Sequence, residues 1–83
     1  MTGRGTAQRD SLVRDMLREM AERLETRRPD APLTTIGRHA LIQATTMDPA
    51  LAPALRARCP EITTPVIRRD YAAQLREIAG GLT

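Results

Sequence analysis

One apolar stripe between residues 12 and 24 constrains the fold more than any other feature of this chain. Its members recur at steps of three and four residues: Leu12, Val13, Met16, Leu17, Met20, Ala21 and Leu24. That spacing places them on one side of an α-helix. The other side carries opposite charges four residues apart, such as Asp10 and Arg14, which support an exposed helix face. We therefore expect a long first helix, from about Thr6 or Ala7 to Arg27.

Prolines divide the rest of the chain into segments that we expect to form three further helices. Pro29 and Pro32 end the first helix, because neither can continue the α-helical hydrogen-bond ladder. Thr34 or Thr35 is placed to cap the second helix, whose apolar positions are Ile36, Ala40, Leu41 and Ala44. The second helix should run to Thr45 or Thr46, the third over roughly Leu51 to Arg58, and the last from Pro65 to the glycines at 80 and 81.

No segment shows the alternation of apolar and polar residues that is typical of a β-strand. The predicted fold class is therefore all-α: a small bundle of about four helices that has room for a wingless helix-turn-helix. We expect a single helical domain over residues 6–81, because a chain of 83 residues is too short for two cores. The polar, Gly-rich residues 1–5 are expected to be disordered.

The core must be built almost without aromatic side chains. Phe and Trp are absent, and Tyr71 is the only aromatic residue. Aliphatic side chains and alanines bury less area than rings do, so we expect a modestly stable monomer that associates as a homodimer or with a partner. The dimer or partner interface is expected on the stripe of the first helix, at Val13, Met16, Leu17, Met20 and Leu24.

The chain lacks the residue patterns that catalysis or metal binding requires. Cys59 is the only cysteine and His39 the only histidine, and neither has further ligands at the spacing of a metal site. We therefore expect no enzymatic activity, no metal and no cofactor. No apolar segment approaches the ~20 residues of a membrane helix, and none reads as a signal peptide. The sequence predicts a cytoplasmic protein with no membrane partner.

Arginine supplies all thirteen basic residues, and the net charge is +3. Guanidinium groups suit both phosphates and carboxylates. Residues 62–71 place them in the pattern of a DNA recognition helix, which needs small polar groups at its start, Arg on its exposed side and aliphatic groups behind. The polar and basic positions are Thr63, Thr64, Arg68 and Arg69. The docking positions are Ile67, Tyr71 and Leu75.

The same segment resembles the recognition helix of DeoR-type transcriptional repressors, which reads valine-serine, two variable residues and then Thr-Ile-Arg-Arg-Asp-Leu. Ile62 and Thr63 take the places of the valine and serine, and Val66 that of the threonine. The run Ile67-Arg68-Arg69-Asp70 matches outright, and Tyr71 replaces the leucine. The match covers about ten residues.

The resemblance implies that Arg68 and Arg69 face DNA and that Asp70 braces an arginine or the helix start. The preceding helix departs from the family pattern, with Arg56 and Pro60 at leucine positions and a glutamate at the turn glycine. The twelve residues after Tyr71 are too few for the family's two-stranded wing. A DNA-binding unit in this chain is therefore expected to be wingless.

Two functional hypotheses follow from these patterns. The first is a small dimeric regulatory protein that binds double-stranded DNA through a helix-turn-helix-like pair, the third and fourth helices. Its phosphate contacts would be Arg56 and Arg58, and its groove contacts Thr63, Thr64, Arg68 and Arg69. The second is a non-catalytic helical module that binds another protein, as an adaptor, docking domain or inhibitor, through the stripe of the first helix.

Overall fold

Four α-helices and one very short β-ladder form the fold in the computed structural model, which describes the backbone of residues 2–82 and the side chains of residues 8–82. In chain order the elements are α1 (Thr2–Thr26), β1 (Pro32–Leu33), α2 (Thr35–Thr45), α3 (Ala52–Arg58), β2 (Val66–Ile67) and α4 (Arg68–Gly80). The predicted fold class, a small all-α bundle of about four helices, is confirmed.

The first helix is longer than the sequence pattern predicts, since α1 begins at Thr2 and not at Thr6 or Ala7. Met1 and the side chains of residues 2–7 lie outside the described part of the chain, and the disorder expected for residues 1–5 stays a prediction. The helix ends at Thr26, and two residues later Arg28 has a φ of 50°. A left-handed residue just past a helix end redirects the chain, here toward β1.

The apolar stripe of α1 forms the centre of the core, where it packs mainly against α4. Four members of the stripe, Val13, Leu17, Met20 and Leu24, are at most 1% exposed, and Met16 is partly buried against them. The buried side chains of α4 are Tyr71, Ala72, Leu75 and Ala79. The other elements add Leu33, Ile42, Leu55, Cys59, Ile62 and Leu82 to the same cluster.

This packing corrects the expectation that the α1 stripe is a dimer or partner interface. The expected interface residues were Val13, Met16, Leu17, Met20 and Leu24. They fill the monomer's own core, where burial of a leucine contributes about 1.5–3 kcal/mol relative to exposure. A second protein could reach them only if α1 left α4. Leu12, at the edge of the stripe, stays 42% exposed.

An antiparallel ladder, which the sequence pattern did not predict, joins β1 to β2. Pro32 lies opposite Ile67, and Leu33 lies opposite Val66. Strands of two residues are too short to show a periodic pattern. The last helix was expected to begin at Pro65, but the β-branched residues Val66 and Ile67 adopt extended backbone, which suits their stiff side chains. The helix α4 therefore begins at Arg68.

The first turn of α4 is anchored to the turn that follows α1. The N–H of Arg68 donates to the carbonyl of Ala31 at 2.9 Å, and the N–H of Arg69 donates to the carbonyl of Pro29 at 3.0 Å. A helix start leaves such N–H groups without partners inside the helix. Ile67, at the N-cap, offers no side-chain cap, so the backbone of residues 29–31 takes over that role.

A hydrogen-bond network centred on Arg38 of α2 fixes the chain after α3. Its guanidinium donates to the carbonyls of Arg56, Cys59 and Pro60 at 3.1, 2.9 and 2.9 Å. The Tyr71 hydroxyl donates to the same Pro60 carbonyl at 2.6 Å. Carbonyls at a helix C-terminus have no N–H partner within the helix. Arg38 supplies donors to the carbonyls of Cys59 and Pro60 and a second donor to that of Arg56, which also accepts from the N–H of Cys59. Together with the Tyr71 hydrogen bond, this network connects α2, α3 and α4.

Replacing Arg38 with Met removes these hydrogen bonds and keeps a long side chain. Because hydrogen bonds to charged groups contribute about 1.5–3 kcal/mol, we expect the free energy of unfolding to fall by about 2 kcal/mol. Urea denaturation followed by circular dichroism measures this change. Arg18→Met, at an exposed position of α1, is the control and should shift stability by less than about 0.5 kcal/mol. Equal losses in the two variants would contradict the role given to Arg38.

Candidate interaction surface

The arginines that were expected to face DNA are engaged by the protein itself. Arg68 is half-buried, and its Nε donates to the carbonyl of Arg27 at 2.9 Å. Arg69 forms an ion pair with Asp30 in the turn after α1. Both guanidinium groups are thus held against the segment that follows α1, and the charge of Arg69 is balanced by a carboxylate.

The other expected DNA contacts do not form a helix-turn-helix corner with these two arginines. Arg56 and Arg58 are exposed in the last turn of α3, which packs against α1 and α2. Residues 59–67 separate α3 from α4, whereas a helix-turn-helix joins its helices by a turn of about three or four residues. Thr63 and Thr64 are exposed in this connection, ahead of β2, and do not lie on α4.

The most exposed large apolar side chains among residues 8–82 lie at the two ends of α2. Ile36 is 82% exposed and Met47, just past the helix, is 94% exposed. Ala40 and Ala44 are exposed between them, and steps of four residues place them on the same side as Ile36. The side that faces the core contributes Ile42. Apolar residues therefore occupy two sides of α2, and the outer side is in contact with water.

A side-chain cap and a close approach fix the start of α2. The hydroxyl of Thr34 accepts a hydrogen bond from the N–H of Gly37 at 3.2 Å, the usual arrangement of a threonine N-cap. A Cβ at position 37 would lie 2.9 Å from Cδ1 of Leu33, which is buried. Glycine at this position lets α2 approach β1 closely, so the outer side of the helix is held in a defined place.

Two open depressions border the outer side of α2. One, of about 300 Å³, lies between α1 and α2, and its lining includes Arg23, Arg27, Ala40, Ala44 and Arg68. The other, of about 450 Å³, lies between α2 and α3, and its lining includes Gln43, Met47 and Arg56. We call the apolar residues Ile36, Ala40, Ala44 and Met47, together with the rim arginines Arg23, Arg27 and Arg56, the α2 surface. In the described part of the chain, no carboxylate lines either depression.

Ion pairs elsewhere in the molecule leave the rim arginines without carboxylate partners. Within residues 8–82 the ion pairs are Arg14–Asp15, Arg69–Asp30 and Arg76–Glu25. Arg76 donates to both carboxylate oxygens of Glu25, at 2.9 and 2.6 Å, and this hydrogen bonding lowers the pKa of Glu25. Arg23, Arg27 and Arg56 take part in none of these pairs, so the rim of the α2 surface is positively charged.

Burial strongly raises the pKa of two side chains near the Arg38 network. The pKa of the Cys59 thiol rises to about 11 and that of the Tyr71 hydroxyl to about 12. Both groups are therefore protonated at neutral pH. His39 is exposed on α2. No three His, Cys, Asp or Glu side chains of the described residues come together in a way that would hold a metal ion. Across that same part, none of the helices has the length and apolar character needed to cross a membrane.

The sequence reasoning missed the α2 surface. Ile36, Ala40 and Ala44 are apolar positions of the predicted second helix, but this list alone does not show which side of the helix faces the core and which faces solvent. The available signal was the position of Ile42, which lies on a different side of the helix from these three residues. A short helix with apolar residues on two sides has more apolar area than a small core can cover.

The buried thiol gives a direct test of the packing around Cys59. A thiol pKa of about 11, instead of the ordinary 9.0, leaves about a hundredfold less thiolate at pH 8, and the thiolate is the reactive form. We expect iodoacetamide to alkylate the native protein at least about a hundredfold more slowly than the urea-unfolded protein, as measured by mass spectrometry. Because burial raises the thiol pKa from 9.0 to about 11, the free energy of unfolding should be unaffected by this thiol below pH 9 and should fall as the pH rises from 9 toward 11. A native alkylation rate close to the unfolded one would show that Cys59 is not buried.

Comparison with known proteins found no family model, no curated protein sequence and no solved structure that matches this chain.

Proposed function

We propose that this chain is a non-catalytic helical module that binds another protein through the α2 surface. The observation that carries the proposal is the near-complete exposure of Ile36, on the apolar outer side of α2, and of Met47, two residues past the end of that helix. Covering a side chain of this size contributes about 1.5–3 kcal/mol, a gain that the monomer leaves unused. Apolar patches with polar rims are typical of interaction sites.

The α2 surface is held in place by the monomer's own contacts. Ile42 anchors α2 in the core, Arg38 binds it to the end of α3, and Gly37 brings it close to β1. A surface fixed in this way can bind a partner without first rearranging. Little conformational entropy is then lost on binding, which favours affinity. A helix face with such support is a common docking site for a second helix.

A cytoplasmic location is part of the same proposal. The only cysteine, Cys59, is a free thiol buried in the core. Reducing compartments keep such thiols unpaired, whereas small secreted domains generally rely on several disulfides. A module whose core is aliphatic and whose thiol is free is suited to the cytoplasm.

Binding to double-stranded DNA is the other function expected from the sequence, and the exposure of Arg56 and Arg58 favours it. It would require Arg69 to leave Asp30, a rearrangement of only about 0–1 kcal/mol for an exposed ion pair. The long connection between α3 and α4, however, replaces the tight turn that orients a recognition helix. Protein binding therefore fits the geometry better than DNA binding does, and a titration with DNA separates the two.

The proposal is tested by an NMR titration of the ¹⁵N-labelled protein with a neutral amphipathic peptide helix, leucine on one side and glutamine on the other. We expect the shift changes to cluster on α2. The double variant Ile36→Ser, Met47→Ser should weaken binding at least about tenfold, because it removes the two largest apolar contacts. Leu12→Ser removes an exposed leucine from α1 instead and should bind like the unchanged protein.

Other outcomes of the titration separate the two functions. Shift changes centred on residues of α1 and α4 outside the α2 surface, or equal weakening by the two substitutions, would contradict binding at the α2 surface. In a parallel titration with a short DNA duplex at low salt, shift changes at Arg56, Arg58, Arg68 and Arg69 would support the DNA-binding regulatory function. Such binding should weaken steeply with added salt, since phosphate contacts release counterions.

A further inference from the structure

We propose that the segment bound at the α2 surface is an acidic amphipathic α-helix of the partner protein. Its apolar side would cover the outer side of α2, and its carboxylates would meet the rim arginines. This inference rests on the proposed function and adds the chemistry of the partner. Three features of the structure support it: the shape of the apolar face, the way charges are sorted on α1, and the neutralised turn after α1.

The apolar face has the shape and length of a helix-docking site. The eleven residues of α2 extend over about 16 Å, which matches about three turns of a partner helix. Along the chain, the small side chains of Ala40 and Ala44 lie between the larger Ile36 and Met47, so the middle of α2 permits close approach and exposed apolar side chains flank it. Packed helix axes lie about 8–10 Å apart, depending on the side chains at the contact, and small residues favour the shorter distances.

The charged residues near the end of α1 are sorted by side. Arg23 and Arg27, four residues apart, line the depression next to α2. Glu25 is bound on the other side by Arg76 of α4, and the charge of Glu22 also raises the pKa of Arg76. Glu22 and Glu25 thus lie toward α4, while Arg23 and Arg27 border α2. A partner that approaches α2 meets positive charge.

The turn after α1 adds no net negative charge to this rim. Asp30 is paired with Arg69, and the Nε of Arg68 donates to the carbonyl of Arg27. Arg68 therefore stays in the wall of the depression next to Arg23 and Arg27. The pair of arginines that resembles a DNA-reading motif serves here to balance a carboxylate and to add positive charge beside α2.

An acidic helix complements this surface better than the other possible occupants do. The phosphodiester backbone of DNA would satisfy the rim arginines but would cover the apolar residues poorly, since base and phosphate contacts are mainly polar. A second copy of this chain would bring the same arginines and no carboxylate among the residues that line the depressions. Like charges that meet across an interface oppose binding.

The test uses the full chain and three peptides of about 18 residues, long enough to span α2. They share one leucine side and carry Glu, Gln or Lys on the other. We expect the Glu peptide to bind about tenfold more tightly than the Gln peptide at about 50 mM NaCl, in fluorescence anisotropy, and this preference to shrink at about 300 mM. The Lys peptide should bind most weakly.

Two charge-matched double variants show whether the preference arises at the rim. Arg23→Gln with Arg27→Gln should reduce the preference for the Glu peptide to less than about threefold, because these variants remove two guanidinium groups that would bind the peptide's carboxylates. Arg18→Gln with Arg58→Gln removes the same charge from exposed positions that do not line either depression, and should keep the preference. Circular dichroism confirms that both variants retain their helices.

The outcomes distinguish this inference from the proposed function. If the Glu and Gln peptides bind α2 equally, or if the two double variants lose the preference equally, the inference of an acidic partner is overturned and protein binding at α2 stands. If no peptide shifts the α2 resonances, or if light scattering gives a dimer that Ile36→Ser with Met47→Ser converts to a monomer, the proposed function falls as well.

Discussion

The packing of α1 against α4 is the contact on which the rest of the structure depends. With one aromatic ring in the chain, a sufficient core area requires a long contact between aliphatic helix faces, and the 25 residues of α1 provide it. The alanines of α4 at positions 72 and 79 are fully buried in that contact, and small residues let two helices approach closely. The largest apolar stripe of the chain is buried in this contact. The other elements are held by smaller contacts: a two-residue ladder, a few core side chains and the hydrogen-bond network of Arg38.

The small size of the core also explains why α2 keeps an exposed apolar side. Ile42 is buried in the core, whereas the outer residues Ile36 and Met47 are almost fully exposed to solvent. The arginines are divided in a corresponding way. Arg38, Arg69 and Arg76 are bound to carbonyls or carboxylates within the fold, whereas the rim of the α2 surface has no such partners among residues 8–82. An apolar strip with a positive border therefore stays open to solvent on α2.

The helices were largely predictable from the sequence, because apolar periodicity and proline placement determine where helices begin and end. Periodicity identified the α1 stripe, but it could not show whether the stripe meets α4 or a second protein, since both give the same pattern. The segment 62–67 looked like a helix start, and pairing of Val66 and Ile67 with β1, which is distant in the chain, decided otherwise. The engagement of Arg69 by Asp30 is likewise a tertiary contact that a sequence motif does not reveal. The α2 surface could have been predicted from the sequence, because Ile42 and the residues Ile36, Ala40 and Ala44 fall on different sides of the helix.

The stripe of α1 is core while the outer side of α2 faces solvent, and two methionines report directly on this arrangement. Met20 is 0% exposed and Met47 is 94% exposed. In the ¹³C-methyl-methionine protein, a soluble paramagnetic agent should broaden the Met47 methyl signal strongly and leave the Met20 signal almost unchanged. Similar broadening of both signals, or protection of Met47 with exposure of Met20, would show that a different face forms the core and would contradict the account.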